Sequence, residues 1–130
     1  MQELLFKDEY PIFTMTLNKN ETSFSTVQEI LDSLQSKIQA HPVATYIGLF
    51  DHYGHTSGLE SGEVSSDIVD AQNILFCFGK ELLVPEMLAV RPRSIGVAER
   101  DNDFVLSFLK APNPAANEAM IAWTKSLHDL

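Results

Sequence analysis

The first regular pattern in the chain is a two-residue alternation of side chains over residues 12–17. A period of two, with threonines interleaved between apolar residues, indicates a β-strand that has one buried face. The side chains predicted to face the core are Phe13, Met15 and Leu17, and the outward set is Ile12, Thr14 and Thr16.

Beyond that strand the apolar side chains recur every three or four residues, at Phe24, Val27, Ile30 or Leu31, Leu34 and Ile38. This spacing predicts an amphipathic α-helix. Ser25 and Gln28 have the spacing of a capping box at its start, in which each side chain satisfies a free backbone N–H. Thr26 and Glu29 have the same spacing. Pro42 ends the helix, because the residue before a proline is pushed out of helical geometry.

Four further runs have strand character, at residues 43–50, 74–78, 94–99 and 104–110. The first of them is apolar almost throughout, which is typical of a central strand. The following residues 51–66 are rich in Gly, Ser and acidic side chains and predict a turn and a loop. Residues 67–71 predict one helical turn, and residues 81–90 predict a short helix or coil interrupted by Pro85.

The segment between the last two strands reads Arg-Asp-Asn-Asp over residues 100–103. Because Asn and Asp tolerate the positive φ of tight turns, it predicts an antiparallel hairpin. Asn113 as N-cap and Pro114 at the first helical position then open a second amphipathic helix. Its apolar stripe is Ala116, Met120, Trp123, Leu127 and Leu130.

These elements predict a single α+β domain over residues 1–130. Two apolar helical stripes need one apolar surface, and a sheet with both helices on one face supplies it. The expected architecture is a two-layer sandwich with an antiparallel sheet of about five strands, in the order β-α-β4-α. A chain of 130 residues is long enough to bury such a core without disulfides or metals.

Charge narrows the partners that we expect. Nine Lys and Arg against 18 Asp and Glu give a net charge of −9, which repels nucleic acid and anionic membranes. Arg91, Arg93 and Arg100 lie close together and could form a positive local patch, although in an acidic chain we favour their pairing with nearby carboxylates. The single cysteine, the lack of a secretory signal pattern and the lack of a long apolar run favour a cytoplasmic protein.

The segment with the most candidate chemistry is the one that contains Asp51, His52 and His55. A carboxylate and two imidazoles suit zinc, iron or copper, so these residues are the candidate metal ligands. The alternative is a glycine-bearing turn with exposed polar side chains. The sequence favours this alternative, because no HExxH motif or spaced Cys/His set completes a ligand shell.

Two other side chains are candidates for ligand contact. Cys77 lies within a strand-like run, where burial is a commoner role for a free cysteine than catalysis. Met87 belongs to an apolar cluster, residues 82–88, which we interpret either as the lining of a pocket or as the cover of a sheet edge in a dimer. No catalytic residue and no cofactor is identified.

A family resemblance rests on ILFCFG at residues 74–79, Leu88, Pro92, IGVAE at residues 95–99, the turn at residues 101–102, and VLSF at residues 105–108 leading to Pro112. Through these residues the second half of the chain resembles the uncharacterised DUF302 family, as a distant member. The resemblance implies a TBP-like fold and a tendency to form homodimers. It implies no mechanism, and it implies no DNA binding, because fold does not fix function.

Two hypotheses follow. The first is a dimeric, non-enzymatic protein that holds a small ligand or partner between the sheet and residues 79–93. The second is a metal-binding protein or small enzyme that uses Asp51, His52 and His55, with Cys77 as a redox-active partner.

Overall fold

The computed structural model describes residues 1–129 and contains one antiparallel sheet of six strands. The strands are β1 (Gln2–Phe6), β2 (Tyr10–Asn18), β3 (Ala44–Phe50), β4 (Asp70–Phe78), β5 (Arg93–Glu99) and β6 (Asp103–Leu109). The α-helices are α1 (Val27–Ala40), α2 (His52–Ser57) and α3 (Pro114–Lys125), and Lys19–Glu21 and Pro85–Val90 are short 3-10 helices. The spatial order of the strands is β1-β2-β6-β5-β4-β3.

The mixed α+β class is confirmed, but the sheet has six strands and not about five. The strand that the sequence did not reveal is β1, which pairs antiparallel with β2. All five of its residues are exposed. A strand without a buried face has no reason to alternate apolar and polar side chains, so it lacks the signal that revealed β2.

The hairpin between β5 and β6 is confirmed, whereas the conformation predicted for its turn is wrong. Within residues 1–129, the non-glycine residues with positive φ are Lys7 (53°) and Asp8 (60°), in the β1–β2 turn. The β5–β6 turn is instead closed by the Arg100 N–H, which donates to the Asp103 carbonyl at 2.8 Å. The two side chains of this pair also form a salt bridge across the turn, at 2.7 Å.

Helix α1 begins at the second of the two predicted capping boxes. The Thr26 hydroxyl accepts the Glu29 N–H at 3.1 Å, and the Glu29 carboxylate accepts the Thr26 N–H at 3.1 Å. The helix ends at Ala40, with His41 in an extended conformation before Pro42. The predicted stripe is buried along the helix, and Phe24 packs against the core just ahead of it.

The core lies between one face of the sheet and helices α1 and α3. The alternation along the strands directs one side chain in two toward these helices. The largest fully buried side chains include Leu17, Ile30, Leu34, Phe76, Ile95, Phe104 and Met120. Leu127 is buried as well, whereas Leu130, predicted to extend the stripe of α3, lies outside the described residues.

Strand β3 is an edge strand, so its predicted central position is wrong. Its apolar run reflects neither two neighbouring strands nor burial of both faces, since Leu49 and Phe50 are exposed. Helix α1 packs against one face of β3, and the ring of Phe50 at its end contacts α2. A register shift between Tyr46 and Gly48 leaves Ile47 exposed. Continuous apolar character therefore does not identify a central strand here.

The chain between β3 and β4 differs from the prediction in two places. Residues 52–57, expected in a loop, form helix α2, and the helical turn expected at residues 67–71 is not present. Asp70 and Ala71 belong instead to β4, where they pair with Glu99 and Ala98 of β5. Over residues 1–129 no helix is both long enough and apolar enough to cross a membrane.

We expect Thr26→Ala to lower the free energy of unfolding by about 1 kcal/mol, because it removes the N-cap of α1. Urea denaturation at neutral pH measures the change. Ser36→Ala is the control, since it lies exposed on the same helix and alanine is the better helix former. A loss of equal size in both variants would contradict a specific role for the cap.

The stabilisation that the N-cap of α1 gives to the fold should decrease in acid. Hydrogen bonds from the Ser25 N–H and hydroxyl, and from Thr26, lower the pKa of Glu29 below its usual 4.5. A carboxylate with a lowered folded pKa stabilises the fold above its unfolded pKa, and this contribution is lost as the pH falls through the folded pKa. Urea denaturation repeated in acid checks this, since the loss of unfolding free energy in Thr26→Ala should be smaller there than at neutral pH.

Candidate functional site

A cleft lies beside the β4–β5 connection, which comprises residues 79–92. It has a cavity volume of about 340 Å³. Met87 lines it from the connection, Phe78 lines it from the end of β4, and Ala116 lines it from the first turn of α3. The predicted ligand contact of Met87 is therefore at a site that has room for a ligand.

One wall of the cleft is aromatic. The ring of Phe78 stacks on that of Trp123, with centroids 5.7 Å apart and an angle of 11° between the planes. His41 meets Phe78 and Trp123 edge-on, at 5.4 and 5.8 Å. Its Nδ1 accepts the Val43 N–H at 3.2 Å, which fixes the ring against this wall. The wall is thus held from behind by the helices and does not depend on a ligand.

The rim of the cleft is basic. Lys80 and Arg91 line the cavity together with one acidic residue, Glu81. The Arg91 guanidinium donates through Nη1 to the backbone carbonyl of Glu81 at 2.6 Å, which ties the two ends of the connection together. A cationic rim beside an aromatic wall can receive a molecule with one anionic and one apolar part.

Arg93 lines a second, smaller cavity of about 70 Å³ that shares part of its lining with the first. It shares the core-facing side of β5 with Ile95 and Val97, and only 7% of its surface is exposed. Its guanidinium donates to the carbonyls of Val90 and Leu109, while Nε has no hydrogen-bond partner. Burial lowers the pKa of Arg93.

The first turn of α3 closes the cleft on the remaining side. Asn113 caps the helix, since its side chain accepts the Ala115 N–H at 2.9 Å. The Asn113 carbonyl accepts the N–H groups of Ala116 and Asn117. These donors are therefore occupied, and the helix offers a ligand its dipole but not free N–H groups.

The candidate metal ligands lie elsewhere, on the short helix α2. Asp51 caps this helix by accepting the Gly54 N–H at 2.9 Å, and His52 Nδ1 lies 3.0 Å from the Thr56 hydroxyl. The ring of Phe50 lies against both His52 and His55. Within the described chain, no three His, Cys, Asp or Glu side chains are grouped so that they could hold a metal ion.

Cys77 is separated from both regions. It pairs with Thr45, while Phe50 at the α2 end of β3 pairs with Asn73, four residues earlier on β4. At about 3.3 Å per residue, Cys77 lies about 13 Å along the strand from that end. The alternation of β4 also turns Cys77 to the face opposite Phe78. The structure therefore brings Cys77 neither to the histidines nor into the cleft.

Sequence reasoning did not place basic residues in a cleft. It considered a positive patch at Arg91, Arg93 and Arg100 but favoured their pairing with carboxylates, and Arg100 does pair with Asp103. Within residues 1–129, no carboxylate pairs with Arg91 or Arg93, so the expectation is wrong for these two. The two-residue period of β5 could have revealed the position of Arg93, which lies two residues before Ile95 and so falls on the buried face.

Comparison with known proteins gives one match. A family model described as a family of unknown function, DUF6858, matches residues 1–129. The chain belongs to this family. Neither curated proteins nor solved structures contain a significant match to it. The assignment to DUF6858 covers β1 as well as the core, and it supplies no activity.

We expect this DUF6858 protein, purified without an affinity tag, to contain no stoichiometric zinc, iron or copper. The reason is that Asp51, His52 and His55 are engaged as a helix cap and as ring contacts. Elemental analysis checks this. One metal ion per chain that is lost in His52→Ala and His55→Ala, but retained in His128→Ala, would contradict it.

Proposed function

We propose that the protein binds a small organic molecule in the cleft formed by the β4–β5 connection, Phe78 and the start of α3. The observation that carries the proposal is the cavity of about 340 Å³ with an aromatic wall and a polar rim. Ligand sites occupy roughly 300–1,000 Å³ and combine apolar walls with a few polar groups. The cleft lies at the small end of this range and suits a compact ligand.

We propose binding without catalysis. The imidazole of His41 is the group at the cleft best suited to acid–base chemistry, and two features favour a structural role for it. Its Nδ1 is engaged by the Val43 N–H, and its ring packs edge-on against Phe78 and Trp123. A general base must reach the proton that it abstracts, and a ring clamped on two sides has little freedom to do so.

Ala115→Phe should block ligand binding. Ala115 is exposed and lines the cleft from the first turn of α3, so a phenyl ring there fills the mouth without disturbing the core. The measurement is a fragment screen by NMR, followed by titration of the fluorescence of Trp123, the only tryptophan. Compounds that bind the wild-type protein should bind Ala115→Phe at least about tenfold more weakly, which corresponds to about 1.4 kcal/mol of binding free energy.

Ala122→Phe is the matched control, since it adds the same ring at an exposed position of α3 that does not line the cleft. It should leave affinity unchanged. Equal binding by Ala115→Phe and the wild type would place the ligand elsewhere and contradict the proposed site. A screen without any hit would contradict the function itself.

We also propose that the core has the TBP-like arrangement that the DUF302 resemblance implies. What supports it is the element order: without β1 and α2, the chain runs β2, α1, β3, β4, β5, β6, α3, which is the order β-α-β4-α. The resemblance itself and the cytoplasmic location remain predictions from the sequence.

A homodimer remains part of the proposal, and the outer side of the β4–β5 connection is the surface that favours it. Leu82, Leu83, Val84 and Leu88 are exposed there, with Leu83 at 76%, and none of them lines the cleft. Consecutive exposed apolar residues of this kind mark interaction surfaces. A second copy is the occupant we propose, because the DUF302 resemblance implies homodimers. The net charge of −9 opposes association, so burial of these apolar side chains has to outweigh the repulsion.

Size-exclusion chromatography with light scattering should give a dimer for the wild-type protein at micromolar concentration and a monomer for Leu83→Asp. A buried carboxylate at a contact opposes association because it loses its hydration. Leu59→Asp places the same charge at another exposed apolar position and should leave the dimer intact. A monomeric wild-type protein would contradict the proposal.

A further inference from the structure

Building on the ligand-binding function proposed above, we propose that the cleft selects an organic anion. Its carboxylate or phosphate group would pair with Arg93 and Arg91 in the smaller cavity. Its apolar body would lie against Phe78 and Met87. The chemistry is shared by carboxylic acids and phosphate esters, and the experiment below separates the two.

Arg93 carries a charge on the core-facing side of β5. The residue is more than nine-tenths buried, and an arginine side chain stays charged in proteins. Two carbonyls accept from it, but Nε has no partner, and no carboxylate of residues 1–129 forms a salt bridge with it. A buried charge is costly unless it is paired. An anion in the adjoining cavity supplies the missing countercharge.

The local charge of the cleft is opposite in sign to the net charge of the protein. The protein has twice as many acidic as basic residues, yet the lining of the two cavities contains three of the nine Lys and Arg and only one of the 18 Asp and Glu. The basic residues are Lys80, Arg91 and Arg93, and the acid is Glu81. The cleft is thus a cationic region on an anionic protein, which attracts anions of the size that it can hold.

The cleft has a larger and a smaller part. The two cavities share Phe78, Met87, Arg91, Asn113 and Ala116 in their linings, so they are parts of one cleft. The smaller part, of about 70 Å³, is several times the roughly 15 Å³ that one water needs and far below the roughly 300 Å³ of a whole ligand site. It suits the head group of a ligand whose body fills the larger part.

The position of Glu81 sets the orientation. This residue lines only the larger cavity, whereas Arg93 lines only the smaller one. An anionic group avoids the carboxylate and gains the guanidinium by lying in the smaller cavity. The positive end of the α3 dipole, at Asn113 and Ala116, borders both cavities and favours an anion in either. The apolar body then faces the ring of Phe78, which rests on Trp123.

The experiment compares phenylacetate, phenyl phosphate and the neutral phenylacetamide by titration of Trp123 fluorescence, because Phe78 couples the cleft to this single tryptophan. At least one anion should bind about 10- to 100-fold more tightly than the amide, the range for hydrogen bonds to charged groups. If phenylacetate binds more tightly than phenyl phosphate, the natural ligand is a carboxylic acid. If phenyl phosphate binds more tightly, the natural ligand is a phosphate ester.

Arg93→Met should abolish the preference for the anion while the amide still binds. Arg91→Met should reduce the preference several-fold, and it keeps the test valid if Arg93→Met does not fold, as judged by thermal unfolding. Lys125→Met is the control, since it removes one positive charge from the exposed last turn of α3, where the side chain does not line the cleft. It should leave the preference unchanged.

The outcomes separate the two proposals. If the amide binds as tightly as both anions, or if the preference persists in both arginine variants, the anion inference is wrong and the ligand-binding function stands. If none of the three compounds binds at millimolar concentration and the NMR screen also finds no ligand, both proposals are wrong.

Discussion

The structure depends on the removal of one face of the sheet from water. Core-facing side chains such as Phe76, Ile95 and Leu106 lie on three neighbouring strands, and a sheet face of this kind is stable only under an apolar cover. Helices α1 and α3 provide the cover. Their caps, their lengths and the break at Pro42 serve to lay two apolar stripes side by side on this face.

The cleft arises where this cover ends. At the end of β4 the helices no longer close over the sheet, and the β4–β5 connection crosses the gap. The two-residue period of β5 then places Arg93 on the core face, in register with Phe76. A charged side chain at a core position contradicts the local pattern of the strand, and such conflicts concentrate at functional sites.

Much of the fold could be predicted from periodicity, since β2, α1 and α3 each have a buried stripe that repeats in the sequence. The caps at Thr26 and Asn113 were also readable, because capping is a local interaction. The order of the strands in the sheet could not be predicted, since β3 resembles a central strand although it lies at the edge. Of the candidate site residues, only Met87 lines the cleft. A cavity is made by elements that are distant in sequence. The spacing of His52 and His55 therefore does not show which side chains face them.

The separate position of β1 has a consequence for how the protein opens. This strand pairs only with β2, and none of its residues is buried. Its release breaks one ladder of backbone hydrogen bonds and exposes little further apolar surface, whereas the release of β5 or β6 exposes the core. The β1 amides should therefore exchange with solvent through a local opening of low free energy, while the central strands exchange only on global unfolding. The first strand of the chain is then an independent, weakly held unit on a stable domain.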